Sequence, residues 1–188
     1  MSSVVISGDS SGAITLAAPS VAGTNTITLP ASTGTVLTTG SPQSGGVIQV
    51  VSSVIQNNSS YFSTASTSFV STGFSITITP KFSTSKIVLL NNATVDSPNT
   101  NLTAGLTIYR NGTNLATGTA PSCLGTLRCS SGYADVTTTM QFVDSPATTS
   151  ALTYTVYAYA SSATMYYGIS GGNSSSNVIS FIAMEIAA

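Results

Sequence analysis

Asp144-Ser-Pro-Ala-Thr-Thr-Ser-Ala-Leu-Thr-Tyr-Thr-Val-Tyr-Ala-Tyr159 is the stretch on which the reading of this chain turns. A cluster of turn formers feeds an alternating run. Leu152, Tyr154, Val156 and Ala158 fall on one face; Thr153, Thr155, Tyr157 and Tyr159 fall on the other. Period-two alternation of β-branched and aromatic residues is the pattern of a β-strand. Because both faces carry large side chains, this strand is expected to be covered on both sides.

The composition agrees with an all-β chain. Charged residues make up 5% of the 188, against about a quarter in ordinary domains. They are Asp9, Asp96, Asp135, Asp144 and Glu185 against Lys81, Lys86, Arg110 and Arg128, for a net charge of −1. Hydroxyls take their place: 33 Ser and 30 Thr are a third of the chain. Thr suits strands and Ser suits turns. Four basic residues cannot neutralise a phosphate backbone, so nucleic acid is not an expected partner. No apolar run approaches the ~20 residues of a spanning helix, and no basic patch would steer the chain to a membrane. The N-terminus lacks the basic and apolar regions of a secretory signal, so synthesis in a cytoplasm is expected. A surface with so little charge resists association weakly. The chain is therefore expected in an oligomer or fixed to something larger.

Three segments follow in order. Residues 1–40 carry a weak repeat: Gly12, Gly23 and Gly34 are spaced by eleven, as are Pro19 and Pro30. Each unit is a short strand with two or three large apolar side chains, too few to offset an ordering cost of ~1–2 kcal/mol per residue. This arm therefore needs a partner surface. Residues 41–46, Ser-Pro-Gln-Ser-Gly-Gly, read as a linker. Residues 47–188 read as the main domain. Strands are expected at 47–55, 74–79, 86–95, 102–109, 133–143, 152–159, 165–169 and 178–186, with shorter candidates at 61–62, 68–70 and 114–117. The run 86–95 is continuously apolar and is expected centrally in a sheet. Asn111-Gly112 supplies the two positive-φ positions of a hairpin. Residues 120–132 are expected as a loop. No helical period is present, so the fold class is all-β: an antiparallel β-sandwich, jelly-roll-like, preceded by an extended β-rich arm.

The residues give little support to catalysis. Without histidine there is no Ser-His-Asp or Cys-His constellation and no histidine metal ligand. Asp135 and Asp144 are the nearest carboxylate pair for glycoside hydrolysis, but Asp144-Ser-Pro has a local role as a turn acceptor. No cofactor site is apparent. Cys123 and Cys129 either remain free thiols or close a short disulfide loop, worth roughly 3 kcal/mol at most. Several Asn-X-Ser/Thr triplets, at Asn58, Asn92, Asn101, Asn111 and Asn173 among others, are read as turn and edge residues. Tyr154, Tyr157, Tyr159, Tyr166 and Tyr167 cluster in two strands. They serve core packing and subunit contact, with a carbohydrate-contacting surface as the alternative.

Two sets of residues carry a family resemblance. Ile6-Ser-Gly-Asp, Gly12-Ala-Ile-Thr-Leu, Thr28-Leu-Pro and Gly34-Thr-Val-Leu resemble the leader ahead of many bacteriophage tail-fibre and virion-surface domains, cyanophages included. Phe69-Val-Ser-Thr-Gly-Phe-Ser-Ile-Thr-Ile-Thr-Pro-Lys, Ser85-Lys-Ile-Val-Leu, Ile108-Tyr-Arg-Asn-Gly-Thr, Asp144-Ser-Pro and Leu152-Thr-Tyr-Thr-Val-Tyr are similar to the trimeric β-sandwich knobs of such virions. The resemblance implies a homotrimer on the virion. With room for one knob and one arm, it implies a capsid decoration (cement) protein on the outer capsid surface, bound to the major capsid protein. The alternative is a tail-fibre or tail-tip knob that binds a host surface glycan. On the first reading Ile14, Leu16, Ile27, Leu29, Val36 and Leu37 of the arm bury against capsid protein or sister arms. Tyr157 and Tyr159 would contact a sister subunit or the second sheet.

Overall fold

The computed structural model describes residues 3–21, 23–26, 42–56, 61–98, 101–119, 121–130, 132–170 and 175–188, with positions 28, 31, 33, 34, 38 and 40 between them. These residues form strands and turns without a helix. The chain divides into two compact units, Met1–Val36 and Leu37–Ala188.

The first unit holds an antiparallel hairpin of β1 (Ser3–Ser7) and β2 (Ala13–Ala17). Val4 lies opposite Leu16 and Ile6 opposite Ile14. The Gly8 N–H closes the turn on the Gly12 carbonyl at 3.0 Å. The sequence pattern anticipates β2 and misses β1, because Val-Val-Ile is too short to display a period. The second and third repeat units are described only in part, and Ile27, Leu29, Val36 and Leu37 lie outside the described residues.

The second unit contains β3 (Val47–Ile55), β4 (Phe62–Thr64), β5 (Val70–Ile78), β6 (Lys86–Ser97), β7 (Leu102–Arg110), β8 (Thr113–Asn114), β9 (Gly125–Cys129), β10 (Ala134–Asp144), β11 (Leu152–Ala160), β12 (Met165–Tyr167), β13 (Ile169–Ser170), β14 (Ser175–Ser176) and β15 (Ile179–Ile186). Every pairing is antiparallel. In the first sheet β6 carries β15 then β3 on one edge and β10 on the other. Beyond the end of β15 the same edge of β6 takes up β12 and then β4. In the second sheet the order is β5-β11-β7, with β8 and β9 sharing the far edge of β7. The eight long strands, numbered along the chain, thus stand 1-8-3-6 in one sheet and 2-7-4-5 in the other. That interleaving is the strand order of a jelly roll.

The core lies between the sheets. Ile87, Leu89 and Val95 of β6 and Phe181 and Ala183 of β15 belong to one cluster with Ile76, Ile108, Leu127, Tyr154 and Val156 of the second sheet. The alternation of β11 places as the sequence predicts: Leu152, Tyr154, Val156 and Ala158 are buried at 0–4% exposure. The central position expected for residues 86–95 is that of β6. Asn111 (φ 47) and Gly112 (φ 86) make the predicted two-residue turn.

Three expectations change. Residues 120–132 are not a continuous loop, because β9 pairs along Leu102–Leu106 of β7. Only Leu127 and Cys129 of β9 turn inward, too few to show a period. The predicted return strand over 114–117 stops at Asn114, whose Oδ1 accepts the Ala116 N–H at 3.0 Å and so turns the chain away. The 41–46 segment is not wholly free, since Gly45 and Gly46 exchange backbone hydrogen bonds with Ala187 at 2.8 and 2.9 Å.

Glu185 is a buried anchor that the sequence does not disclose. Its Oε1 accepts the N–H groups of Lys81 (2.7 Å) and Phe82 (3.2 Å) and the Ser85 hydroxyl (2.7 Å). Its Oε2 accepts the Gln49 amide at 2.6 Å. Burial alone would raise its pKa. The donors from Ser85, Gln49, Lys81 and Phe82 outweigh that and hold it below the ordinary 4.5. A carboxyl depressed in the folded state stabilises fully above the unfolded pKa and loses that contribution as pH falls through the folded one. Glu185→Gln points an amide N–H₂ at these donors and should cost about 2–4 kcal/mol in urea unfolding at neutral pH. The loss of wild-type stability below pH 4.5 should be shallower in the variant.

Candidate functional site

The outer face of the second sheet carries an aromatic cluster. Successive residues of β11 alternate, so Tyr157 and Tyr159 point away from the core that Tyr154, Val156 and Ala158 enter. Tyr109 of β7 stacks on Tyr157 with ring centroids 3.8 Å apart and planes at 18°. Phe69, just before β5, meets Tyr159 edge-on at 5.0 Å and Tyr109 at 6.2 Å. Tyr159 lies over Gly105, its partner on β7. A Cβ at Gly105 would overlap the Tyr159 ring, so only glycine lets the ring lie flat on the strand. Burial raises the pKa of Tyr109, with Tyr157 adding to it. Burial followed by Cys123 does the same for Tyr159.

Beside the cluster is an open depression of about 570 Å³ lined by Thr67, Ser68, Phe69, Tyr109, Asn114 and Ser122, among others. Its amide is fixed: Asn114 Oδ1 accepts the Thr107 hydroxyl at 2.6 Å, and Nδ2 donates to the Ser122 carbonyl at 3.0 Å. The lining holds no charged side chain. An aromatic wall facing hydroxyls without charge suits a flat, neutral, hydroxyl-rich ligand.

The tyrosines named from sequence separate. Tyr154 and Tyr167 are fully buried, whereas Tyr166 meets Tyr61 at 6.0 Å. Tyr157 and Tyr159 do not face the second sheet's partner across the core. Their cover comes from Phe69, Gly105 and Tyr109 of their own sheet. No local signal marks those three, which lie 48 to 90 positions away along the chain.

The carboxylate pair does not assemble. Asp135 and Asp144 sit near opposite ends of β10, nine steps apart. At ~3.3 Å per residue that is about 30 Å, where paired glycosidase carboxylates need roughly 5–10 Å. Asp144 is instead structural: both its oxygens accept Arg110 Nη1, at 2.7 and 2.8 Å, and Oδ2 also accepts the Tyr154 hydroxyl at 2.7 Å. The disulfide does not form either, and both thiols are free. Extended β9 lies between Cys123 and Cys129. Four steps of strand already span about 13 Å, beyond the ~7 Å Cα separation a disulfide tolerates. Cys123 meets the Thr126 hydroxyl at 3.1 Å, and Cys129 donates to the Gly132 carbonyl at 3.2 Å. Of the Asn-X-Ser/Thr sites, Asn111 is a turn residue whose Oδ1 accepts the Thr153 N–H at 2.9 Å. Asn58 and Asn173 lie outside the described residues.

On the hairpin, the arm residues Ile14 and Leu16 are 67% and 59% exposed. Val4 and Ile6 share their face, at 61% and 55%. Four large aliphatic side chains thus stand together, each more than half exposed.

The chain matches no protein family and no curated protein. Among the solved structures that resemble it are chains from infectious bursal disease virus. Chains of T=1 particles derived from that virus align at TM-score 0.44 and 15% identity, over 97% of this chain and 44% of theirs. The Gt strain aligns at TM-score 0.45 and 15% identity, over 98% and 47%. The T13 viral particle aligns at 0.43 and 16%, over 94% and 42%. This chain therefore spans less than half the length of the chains it matches.

The contact between Gly105 and Tyr159 gives a clean test of the aromatic face. Gly105→Ala should destabilise the protein by about 1–3 kcal/mol through overpacking. In a Tyr159→Ala background the same change should cost little, and the double-mutant cycle should return a coupling above roughly 0.5 kcal/mol.

Proposed function

We propose that this is a structural protein of a virion: a capsid decoration (cement) protein, homotrimeric, that binds the major capsid protein on the outer surface of a phage head. The observation that carries the reading is the hairpin face of Val4, Ile6, Ile14 and Leu16. A two-stranded hairpin is marginal in water on its own. Its aliphatic face gains stability only when another surface covers it. At ~1.5–3 kcal/mol for each fully buried side chain, one arm supplies a firm anchor, and several arms acting together multiply it. The leader resemblance and the weakly charged surface support the same reading. Ile27, Leu29, Val36 and Leu37 extend the anchor in this proposal.

Ile14→Asp with Leu16→Asp tests the anchor while leaving the jelly-roll core intact. The expected result is a folded protein that no longer co-sediments with heads of the virus that encodes it and no longer raises their resistance to heat. Co-sedimentation equal to wild type would show that the arm is not the attachment device.

A second reading, a tail-fibre or tail-tip knob for a host surface glycan, is favoured by the depression beside Phe69 and Tyr109. In affinity electrophoresis through gels containing dextran, mannan or galactan, it expects retardation that Tyr109→Ala weakens about tenfold, the effect of losing one central aromatic contact. Unretarded migration in every gel would count against it.

A further inference from the structure

The outer face of the second sheet continues past the aromatic cluster to an arginine. Across β7 and β9 the register sets Gly105 opposite Thr126 and Thr103 opposite Arg128. Their neighbours Leu102, Ala104, Leu127 and Cys129 are buried in the core, so Thr103 and Arg128 point outward, as Tyr159 does over Gly105. Arg128 opens onto a second hollow, of about 220 Å³, which Asn101, Thr103 and Ser130 also line. No carboxylate lines it. Its walls are held from the far side: the Asn101 carbonyl accepts the Ser162 hydroxyl at 2.8 Å, and Ser161 Oγ accepts the Thr103 N–H at 2.9 Å. Arg110 is committed to Asp144, whereas Arg128 forms no ion pair among the described residues. A guanidinium is a flat fork of donors that fits the paired oxygens of an oxyanion. The Asn101 amide and the Thr103 and Ser130 hydroxyls are further donors beside it.

We propose that this hollow is an oxyanion subsite, and that the saccharide of the aromatic depression carries an acidic group, a carboxylate or a sulfate ester. The inference rests on the glycan reading of the depression and deepens it. Thr103 and Tyr109 stand at the two ends of the outward row of β7. Six steps of strand separate them, about 20 Å. One ligand that reaches both is therefore a polymer of several sugars, neutral where it crosses Tyr109 and acidic at Arg128. The net charge of −1 offers such a polymer no general attraction, so a preference for the acidic form falls to this local group. β9 is an edge strand, and a charge there also discourages pairing with other edges. Edge protection is indifferent to the charge of a saccharide, which separates the two roles.

Three gels built on one sugar skeleton test this by affinity electrophoresis of the full chain: neutral galactan, polygalacturonate and a sulfated galactan. Retardation should be stronger in an acidic gel than in the neutral one, by about tenfold in apparent dissociation constant, as one charge-assisted contact gives. An excess in polygalacturonate assigns a carboxylate; an excess in the sulfated galactan assigns a sulfate ester. Arg128 is exposed, so Arg128→Gln leaves the core untouched. The variant should lose the excess and run as wild type in neutral galactan. Equal retardation in all three gels overturns the inference and leaves the glycan reading standing. An excess that survives Arg128→Gln does the same. Free migration in every gel overturns both.

Discussion

Asp144 joins the two sheets. It ends β10 in the first sheet, yet its partners Arg110 and Tyr154 belong to β7 and β11 of the second. The carboxylate is only 6% exposed, and the guanidinium lies between it and solvent at one rim of the sandwich. Burial, followed by the bond to Asp144 and its charge, pushes the Tyr154 pKa far up, so the phenol keeps its proton and remains a donor. In a chain with nine charged residues, two are committed to this junction. Taking away Arg110 would leave the buried carboxylate without its counter-charge, which costs about 3–5 kcal/mol in comparable pairs. The turn at Asn111 and Gly112 sits directly over it. Asn111 exchanges hydrogen bonds with Thr153 through both its backbone N–H and its Oδ1, at 2.9 Å each. The hairpin after β7 and the start of β11 are thereby held in register with the end of β10.

The residues that build this junction show how far the sequence could be read. The long strands were legible because each displays its own period. Asp144-Ser-Pro reads as a turn acceptor, whereas the carboxylate accepts from Arg110 and Tyr154 instead. Arg110 lies 34 residues upstream, and only the strand order brings it close. The same limit hid Glu185, whose donors come from residues 49 and 81–85. β9 was hidden for another reason: five residues ending on the second cysteine carry too little pattern to tell a strand from a loop. The aromatic surplus on β11 was visible, and so was its need for cover. Where that cover came from depended on Gly105, a residue that announces itself only as an absence of side chain.

Glycine and tyrosine at Gly105 and Tyr159 also show why the outer face of the second sheet is ordered rather than loose. A ring laid flat over a strand excludes water from backbone that would otherwise be open. Phe69 then fixes the ring edge-on, and Tyr109 and Tyr157 stack next to it. The result is an aromatic surface assembled from two strands, β7 and β11, and the approach to a third, β5. Rigidity of this kind lowers the entropy cost of any contact made there.

The outer face of the second sheet is aromatic and hydroxylated. An assembly of copies would repeat that face at a fixed spacing. Each such face, if it holds a neutral sugar weakly, acts in an array whose spacing the assembly sets. Effective concentration then converts weak single contacts into durable adhesion. The particle, and not the subunit, would be the unit that sticks.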